Sequence, residues 1–321
     1  VDPDLIKPET FAAEWKYDGI RVQAVAENGV RRIYTRTGAD ISHTFPDVLA
    51  AMDFDAALDG ELLIRAPDGG VAPFNELQQR LNRKTVSKRQ MDARPAFIRA
   101  YDILVDGDDD LRRLTFKQRR GHLETFITDL DHERIDLSPL VPVTDIEALE
   151  AARNDPPAPE IEGLMLKRWD STYEAGRPKG PWFKWKRDPF LIDTVLLYAQ
   201  RGHGKRSSFY SDFTFGVWRE VDGQDQLTPV GKAYFGFTDE ELKQLDKFIR
   251  NNTIERFGPV RSVTATTEKG LVFEVAFEGL QRSPRHKSGI AMRFPRINRI
   301  RWDKPTSEAD RLENLEALLP S

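Results

Sequence analysis

Strand-length apolar runs, each carrying one or two charges and closed by a turn signal, constrain this chain more than any other feature. Residues 12–16 and 21–26 read as two such strands around the turn pair Asp18-Gly19. Arg32 to Arg36 is a third, ending at Thr37-Gly38. Ala57 to Arg65 closes at Pro67-Asp68-Gly69-Gly70, and Ala96 to Val105 closes at Asp106-Gly107. Residues 161–167 and 182–187 are the last two of this half. Helices separate them. Residues 74–83 and 85–92 read as helical and basic, Thr115 and Gln118 form a capping box opening a helix to about Leu130, and Thr144 and Glu147 open a shorter one to about Arg153.

The pattern changes near Arg187-Asp188-Pro189. Beyond it the chain is mostly strand, at 190–199, 212–219, 228–235, 260–267 and 271–278. One helix, 238–250, interrupts them behind a capping box of Thr238 and Glu241. Five strands with one helix is the element count of an OB-type barrel. Residues 306–319 read as a terminal helix. The expectation is an α+β protein of two domains, 1–188 and 189–321.

The 321 residues suffice for two domains, and 39% hydrophobic with 31% charged residues excludes a disordered chain. No apolar run is long enough to span a bilayer and no signal-peptide pattern is present. The absence of cysteine excludes disulfides and thiolate metal sites. The five histidines are too scattered for a metal site. Net charge is −4, yet basic residues cluster: Arg201, Lys205 and Arg206 around His203, and eight between Arg282 and Lys304 against the single acid Asp303. Such clusters matter more than net charge for a polyanionic partner.

Lys16 is the residue to which the charged strands can be referred. An amine nucleophile must be freed of its proton by burial or nearby cations, and a lone Lys-x-Asp-Gly reads as a surface turn. Glu14 and Lys16, two apart on a strand, share a face. Arg21 opens the next strand. Then follow Arg36 and Gly38, Asp59-Gly60-Glu61, Glu162 with Lys167, and Lys184 with Lys186. Five charged constellations in otherwise apolar strands, mixing carboxylates with lysine and arginine, point to a cleft for a phosphorylated ligand and a divalent metal.

The order and spacing of these pieces resemble the covalent nucleotidyltransferase superfamily, above all the bacterial-type ATP-dependent DNA ligases. Lys16-Tyr17-Asp18-Gly19-Ile20-Arg21 resembles the first motif, Lys-x-Asp-Gly-x-Arg. Ala57 to Ile64 resembles the third motif and Phe97 to Leu104 its aromatic-Asp strand. Glu162 to Lys167 resembles the fourth and Lys184 to Lys186 the fifth. Met292 to Lys304 resembles the sixth, carried on the OB domain. Leu196 to Arg206 is similar to OB segments of bacterial members. The six motifs occur in order over nearly the whole chain. The implied fold is a nucleotidyltransferase adenylation domain (ATP-grasp-like, DNA-ligase type) with antiparallel sheets flanked by helices, followed by an OB-fold β-barrel.

The resemblance implies roles by position. Lys16 would attack the α-phosphate of ATP. Glu14 would accept from the adenine amino group, with Tyr101 stacking on one face of the base and Met165 covering the other. Arg21, Arg36 and Glu61 would hold the ribose and the 5′-phosphate of a nick. Glu162, with Glu61, would bind Mg²⁺, Mn²⁺ being the alternative. Lys184 and Lys186 would neutralise the α-phosphate, and Arg296, Arg301, Asp303 and Lys304 would orient the leaving pyrophosphate. Arg201, Lys205 and Arg206 would meet DNA, as OB loops commonly do. Lys167 is left unassigned, because strict alternation puts Glu162 on the face opposite Met165 and Lys167 unless Gly163 is bulged or Glu162 lies at the strand's start. Arg293 and Arg299 read as basic surface, and Trp15, Trp182, Trp185 and Trp302 as core or pocket wall.

The implied protein is a monomeric ligase of nicked duplex DNA serving replication, repair and recombination, away from membranes, in a bacterial cytoplasm at the nucleoid. Val1 is not Met, which reads as an excised fragment or a missing N-terminal part, and the resemblance to larger family members implies a further DNA-binding domain there. The alternatives are an RNA ligase, a capping guanylyltransferase using GTP, and, from another class, a non-catalytic OB-fold nucleic-acid-binding protein.

Overall fold

Side-chain alternation across strands decides which faces of the first unit are buried and which are left to form a site. The structure is a computed structural model and describes residues 7–81, 83, 85–142, 144–176, 180–202, 210–234 and 238–319. The chain divides into two units, Val1–Arg187 and Asp188–Ser321. In the first, the elements run β1 (Phe11–Tyr17), β2 (Ile20–Glu27), β3 (Val30–Thr35), α1 (Pro46–Ala51), β4 (Ala56–Ile64), α2 (Phe74–Gln78), α3 (Lys88–Ala93), β5 (Ala96–Asp106) and β6 (Asp109–Asp110). They continue through α4 (Phe116–Leu130), β7 (Ile135–Leu137), β8 (Leu140–Val141), α5 (Ile146–Asn154), β9 (Ile161–Arg168) and β10 (Trp182–Lys186).

These strands form a sheet of order β10-β9-β1-β8 and another of order β3-β2-β4-β5-β6, with β7 parallel to β5. Asp18-Gly19 is therefore no hairpin. It hands the chain from one sheet to the other, which puts Lys16 and Arg21 on different sheets. In the four-stranded sheet Phe11, Ala13, Leu164, Leu166 and Trp185 pack with Leu149 of α5. In the larger sheet Val22, Leu58, Leu62 and Ile98 pack with Val48 of α1, Leu77 of α2 and Leu123 of α4. Each sheet spends its apolar face on helices, so the alternate, charged faces are left to look across a cleft.

Several helix boundaries differ from expectation. The helix expected at 74–83 is the single turn and a half of α2. That expected at 85–92 starts at Lys88, because Ser87 and Gln90 form a capping box. Asp145, not Thr144, caps α5: its carboxylate accepts from the Ala148 N–H at 2.7 Å, and Thr144 donates to it instead. The Thr115–Gln118 and Thr238–Glu241 boxes form as read.

The second unit comprises β11 (Phe190–Arg201), β12 (Tyr210–Val221), β13 (Gln224–Tyr234), α6 (Asp239–Asn252), β14 (Thr253–Phe257), β15 (Val260–Val263), β16 (Val272–Phe277), β17 (Gly279–Arg282), β18 (Ile290–Arg293), β19 (Arg296–Arg301) and α7 (Leu312–Glu316). The long β11 pairs with β12 along one edge. On the other edge its first half pairs with β16 and its second with β15, so the sheet branches around one core. That core joins Phe213, Phe215, Phe273 and Phe277 to Leu245 and Ile249 of α6.

Five strands were expected here and nine are present among the described residues. β19 was hidden by its composition. A bulge opposite Glu274–Val275 lets Ile297 and Ile300, three apart, both turn inward, which breaks the period of two. The terminal helix expected over 306–319 is only a 3₁₀ turn, Thr306–Glu308, and α7. Between them Asp310 leaves helical geometry to exchange backbone and side-chain hydrogen bonds with Asp193, both 2.8 Å. The expected strand 260–267 stops at Val263.

Candidate active site

The pairing of β9 with β1 settles the alternation problem around Lys16. Trp15 pairs with Leu164 and Tyr17 with Ile161, so Lys16 faces two residues, Glu162 and Gly163. Gly163 has φ +141°, and a Cβ there would lie 2.4 Å from the Trp185 carbonyl oxygen, so only glycine fits. The bulge turns Glu162 onto the face of Lys16, Met165 and Lys167. Glu162 forms an ion pair with Lys16 and a second with Lys186 at 3.3 Å. Lys184 and Glu14 flank Met165 on the same row, paired with it from either side.

The facing sheet supplies a second row, Arg21–Glu61–Arg99, one residue from each of β2, β4 and β5. Tyr101 is the extra residue of a bulge between the Asp59–Asp102 and Gly60–Ala100 pairings. The two rows line a cavity of about 400 Å³ that holds Glu14, Lys16, Arg21, Arg36, Glu61, Tyr101, Met165, Lys167, Trp182 and Lys184, a size suited to a small ligand. Burial pushes Glu61 up to about 7, with the Glu162 and Asp18 charges adding to it and Lys16 opposing. Lys184 is pulled below the usual lysine range by burial and then by Lys16, Arg36 and Lys186. Among the described residues neither Lys184 nor Arg36 has an ion-pair partner. The cleft therefore carries more cationic than anionic charge, which suits phosphate groups.

Two clusters at this site escaped the sequence reading. At the inner end, Glu14 is 2% exposed, forms an ion pair with Lys167, and accepts from Arg120 of α4 at 3.2 Å. The Lys167 ammonium lies 4.2 Å from the Tyr101 ring centroid and 4.5 Å from that of Trp182. Its spacing of two from Met165 was the available signal. The other cluster surrounds Asp59, which is fully buried. Its Oδ2 accepts from Arg21 at 2.7 Å and from the Tyr173 hydroxyl at 3.0 Å, while its Oδ1 has no hydrogen-bond partner. Tyr173 also accepts from Arg21 at 3.2 Å and Gln23 at 3.3 Å. Tyr173 sits in a loop, where no strand period could have marked it.

The second unit carries the remaining predicted residues. Arg296 lies 3.7 Å from Glu278, Arg301 donates to Asp303 at 2.9 Å, and the Lys304 ammonium donates to Asp193 at 2.7 Å. Arg299, read as plain surface, donates to Glu274 at 2.8 Å. Arg201 ends β11 over the Tyr210 ring, and Lys205 and Arg206 lie outside the described residues. Trp185 is core and Trp182 pocket wall, whereas Trp302 is 48% exposed with its edge to Phe248. The described residues contain no cluster of three or more His, Cys, Asp or Glu placed to hold a metal, and no helix long and apolar enough to cross a membrane.

Comparison with known proteins identifies the family. The model of the ATP dependent DNA ligase domain matches residues 4–186, and that of the ATP dependent DNA ligase C terminal region matches 206–304. A probable DNA ligase of Koribacter versatilis is 36% identical over 98% of this chain and 57% of its own length. A DNA ligase of Natronomonas pharaonis is 35% identical over 96% of this chain and 55% of its own. The chain thus spans about half the length of these curated relatives. A solved structure from a structure–function study of Lig E DNA ligases shares the fold, with a TM-score of 0.63 at 18% identity, over 93% of this chain and 95% of that one. Its two units are the adenylation and OB-fold domains of this arrangement, and the chain belongs to the family of ATP-dependent DNA ligases.

Proposed function

We propose that this chain seals 5′-phosphate/3′-hydroxyl nicks in duplex DNA at the expense of ATP, as a monomer, with Lys16 as the nucleophile. The observation that carries the reading is the setting of Lys16: Glu162 bridges its ammonium to Lys186, and Lys184 and Arg36 line the same cavity as Lys16. In the first step Lys16 Nζ attacks the α-phosphorus of ATP. A P–N bond forms, the bond from α-phosphorus to the bridging oxygen breaks, pyrophosphate leaves, and the amine gives up its proton beside Glu162. An oxygen of the nick's 5′-phosphate then attacks the adenylate phosphorus, a P–O–P bond forms, the P–N bond breaks, and the Lys16 amine leaves. Finally the 3′-hydroxyl attacks that phosphate and AMP leaves. Chemistry of this kind depends on positioning and charge stabilisation, which the rows of Lys184 and Arg21 provide. Tyr101 and Met165 bracket the base, and Glu14 reads it.

The residues fit a divalent cation such as Mg²⁺. The Glu162 charge adds to the cost of ionising Glu61 across the cleft, and Mg²⁺ takes one or two carboxylates together with phosphate oxygens and water. Bound there, the ion would offset charge on the phosphates. The reading is tested by intact-mass analysis after incubation with ATP and Mg²⁺, or with GTP. Wild type gains one AMP with ATP alone, and Lys16→Ala loses the adduct by more than about 10³-fold. An adduct that persists in Lys16→Ala removes Lys16 from its role, and a GMP adduct in place of AMP overturns the choice of nucleotide.

A further inference from the structure

The cations of the last motif are not free-standing. β16 lies between β11 and β19, and its Glu274 pairs directly with Asp193 on one side and Arg299 on the other. Two carboxylates opposite each other on adjacent strands repel, and such a pair survives only where cations offset it. Here the offset comes from the last motif. Lys304 donates to Asp193 at 2.7 Å and Arg301 lies 3.5 Å from the same oxygen. Arg299 donates to Glu274 at 2.8 Å, Asn298 at 2.6 Å, and Arg301 lies 3.8 Å away. Both carboxylates are largely buried, at 13% and 11% side-chain exposure. Asp193 is also fixed through its backbone, which exchanges hydrogen bonds with Asp310.

We propose that Asp193 and Glu274 form a carboxylate platform that aligns Arg301 and Lys304 for the pyrophosphate end of ATP, acting as positioning residues for the first step alone. The inference rests on the proposed role of Arg301 and Lys304 in that step. A flexible lysine and arginine on a strand end lose rotamer freedom when ordered. A fixed carboxylate beneath them supplies that order before the nucleotide arrives. Burial opposes ionisation of Glu274, but its hydrogen bonds from Asn298 and Arg299 and the charges of Arg299 and Arg301 prevail and hold it below the usual carboxylate range.

The test separates the steps. Single-turnover formation of lysyl-AMP from ATP is compared with sealing of a pre-adenylated nick, which needs no pyrophosphate, in wild type, Asp193→Asn, Glu274→Gln and Lys304→Ala. The expected result is a loss of about 10-fold or more in lysyl-AMP formation for Asp193→Asn and Glu274→Gln, with a raised KM for ATP and sealing of the adenylated nick within about 2-fold of wild type. An unchanged or faster first step in both variants overturns the platform. So does an equal fall in both steps by Glu274→Gln at an unchanged melting temperature. If Asp193→Asn melts early and loses both steps, Glu274→Gln decides alone. Lys304→Ala separates the two readings: a normal first step in that variant removes the underlying role, whereas a slow one beside normal Asp193→Asn and Glu274→Gln removes only the platform.

Discussion

The cleft of the first unit leaves two cations without an ion-pair partner among the described residues, whereas the last motif of the second pairs its cations with carboxylates. In the first, Lys184 and Arg36 have no ion-pair partner among the described residues, and Lys16 and Lys186 share Glu162. In the second, Arg296, Arg299, Arg301 and Lys304 each face a carboxylate of their own unit. The carboxylates record the same contrast. Glu61 in the cleft is pushed up to about 7 by burial, while Asp303 is held at about 2 by its bond from Arg301. A site with surplus cations is ready for an anion before one arrives. A neutralised cluster must exchange a carboxylate for a phosphate, which suits a group engaged in one step and released in the others.

The largest effects should come from removing one cation of each kind. Lys184→Ala should slow both lysyl-AMP formation and sealing of a pre-adenylated nick by about 10²-fold or more, because the α-phosphate is present in both. Lys304→Ala should slow only the first. Rapid-quench assays of the two half-reactions check this. Equal step profiles for the two variants would erase the contrast between the units.

That contrast was only half legible in the sequence. Period-two alternation places Glu14 beside Lys16 and Lys184 beside Lys186, and the structure keeps both pairs on the cleft face. Glu162 needed a bulge, and Gly163, with its φ of +141°, was the clue. Tyr173, Arg120 and Asp193 could not be found this way, since each acts across 100 or more residues of chain: Tyr173 on Arg21, Arg120 on Glu14, Asp193 on Lys304. β19 failed for a related reason, its bulge spacing Ile297 and Ile300 out of strand period. Local pattern shows which face a side chain takes, and tertiary pairing shows what it meets.

A smaller effect separates the units by the sign of a pH dependence. Glu61 has an ordinary value of 4.5 and about 7 when folded. Between those values the folded chain holds a proton that the unfolded chain has lost, so stability declines as pH rises through this window and is lowest above it. Glu61→Gln should abolish that decline. Without nucleotide or metal it should be more stable than wild type at pH 8, by about 3 kcal/mol, and match it near pH 4.5. Glu274 is shifted the other way, so Glu274→Gln should lower stability at pH 8 and lose that cost as pH falls below the ordinary carboxylate range. Melting curves from about pH 3 to 8 distinguish the two, and a Glu61→Gln curve parallel to wild type would show that burial in the cleft does not hold a proton on Glu61.

The smallest effect concerns how firmly the first unit holds Arg21. The Tyr173 hydroxyl donates to Asp59 and accepts from Arg21, and burial, aided by the Asp59 charge, pushes it up to about 12, so it stays protonated and able to donate. Asp59 already has one oxygen without a hydrogen-bond partner. Tyr173→Phe removes a second partner from the carboxylate while keeping the ring, at a cost of about 1 kcal/mol. Arg21 would then rest on Asp59 through a single 2.7 Å contact. If Arg21 grips the 5′-phosphate of the nick, sealing should fall by about 3- to 10-fold through KM for nicked DNA, with lysyl-AMP formation nearly unchanged. Steady-state kinetics at varied nick concentration read the split. A loss confined to ATP binding would place Tyr173 with the nucleotide instead, and Arg21 with it.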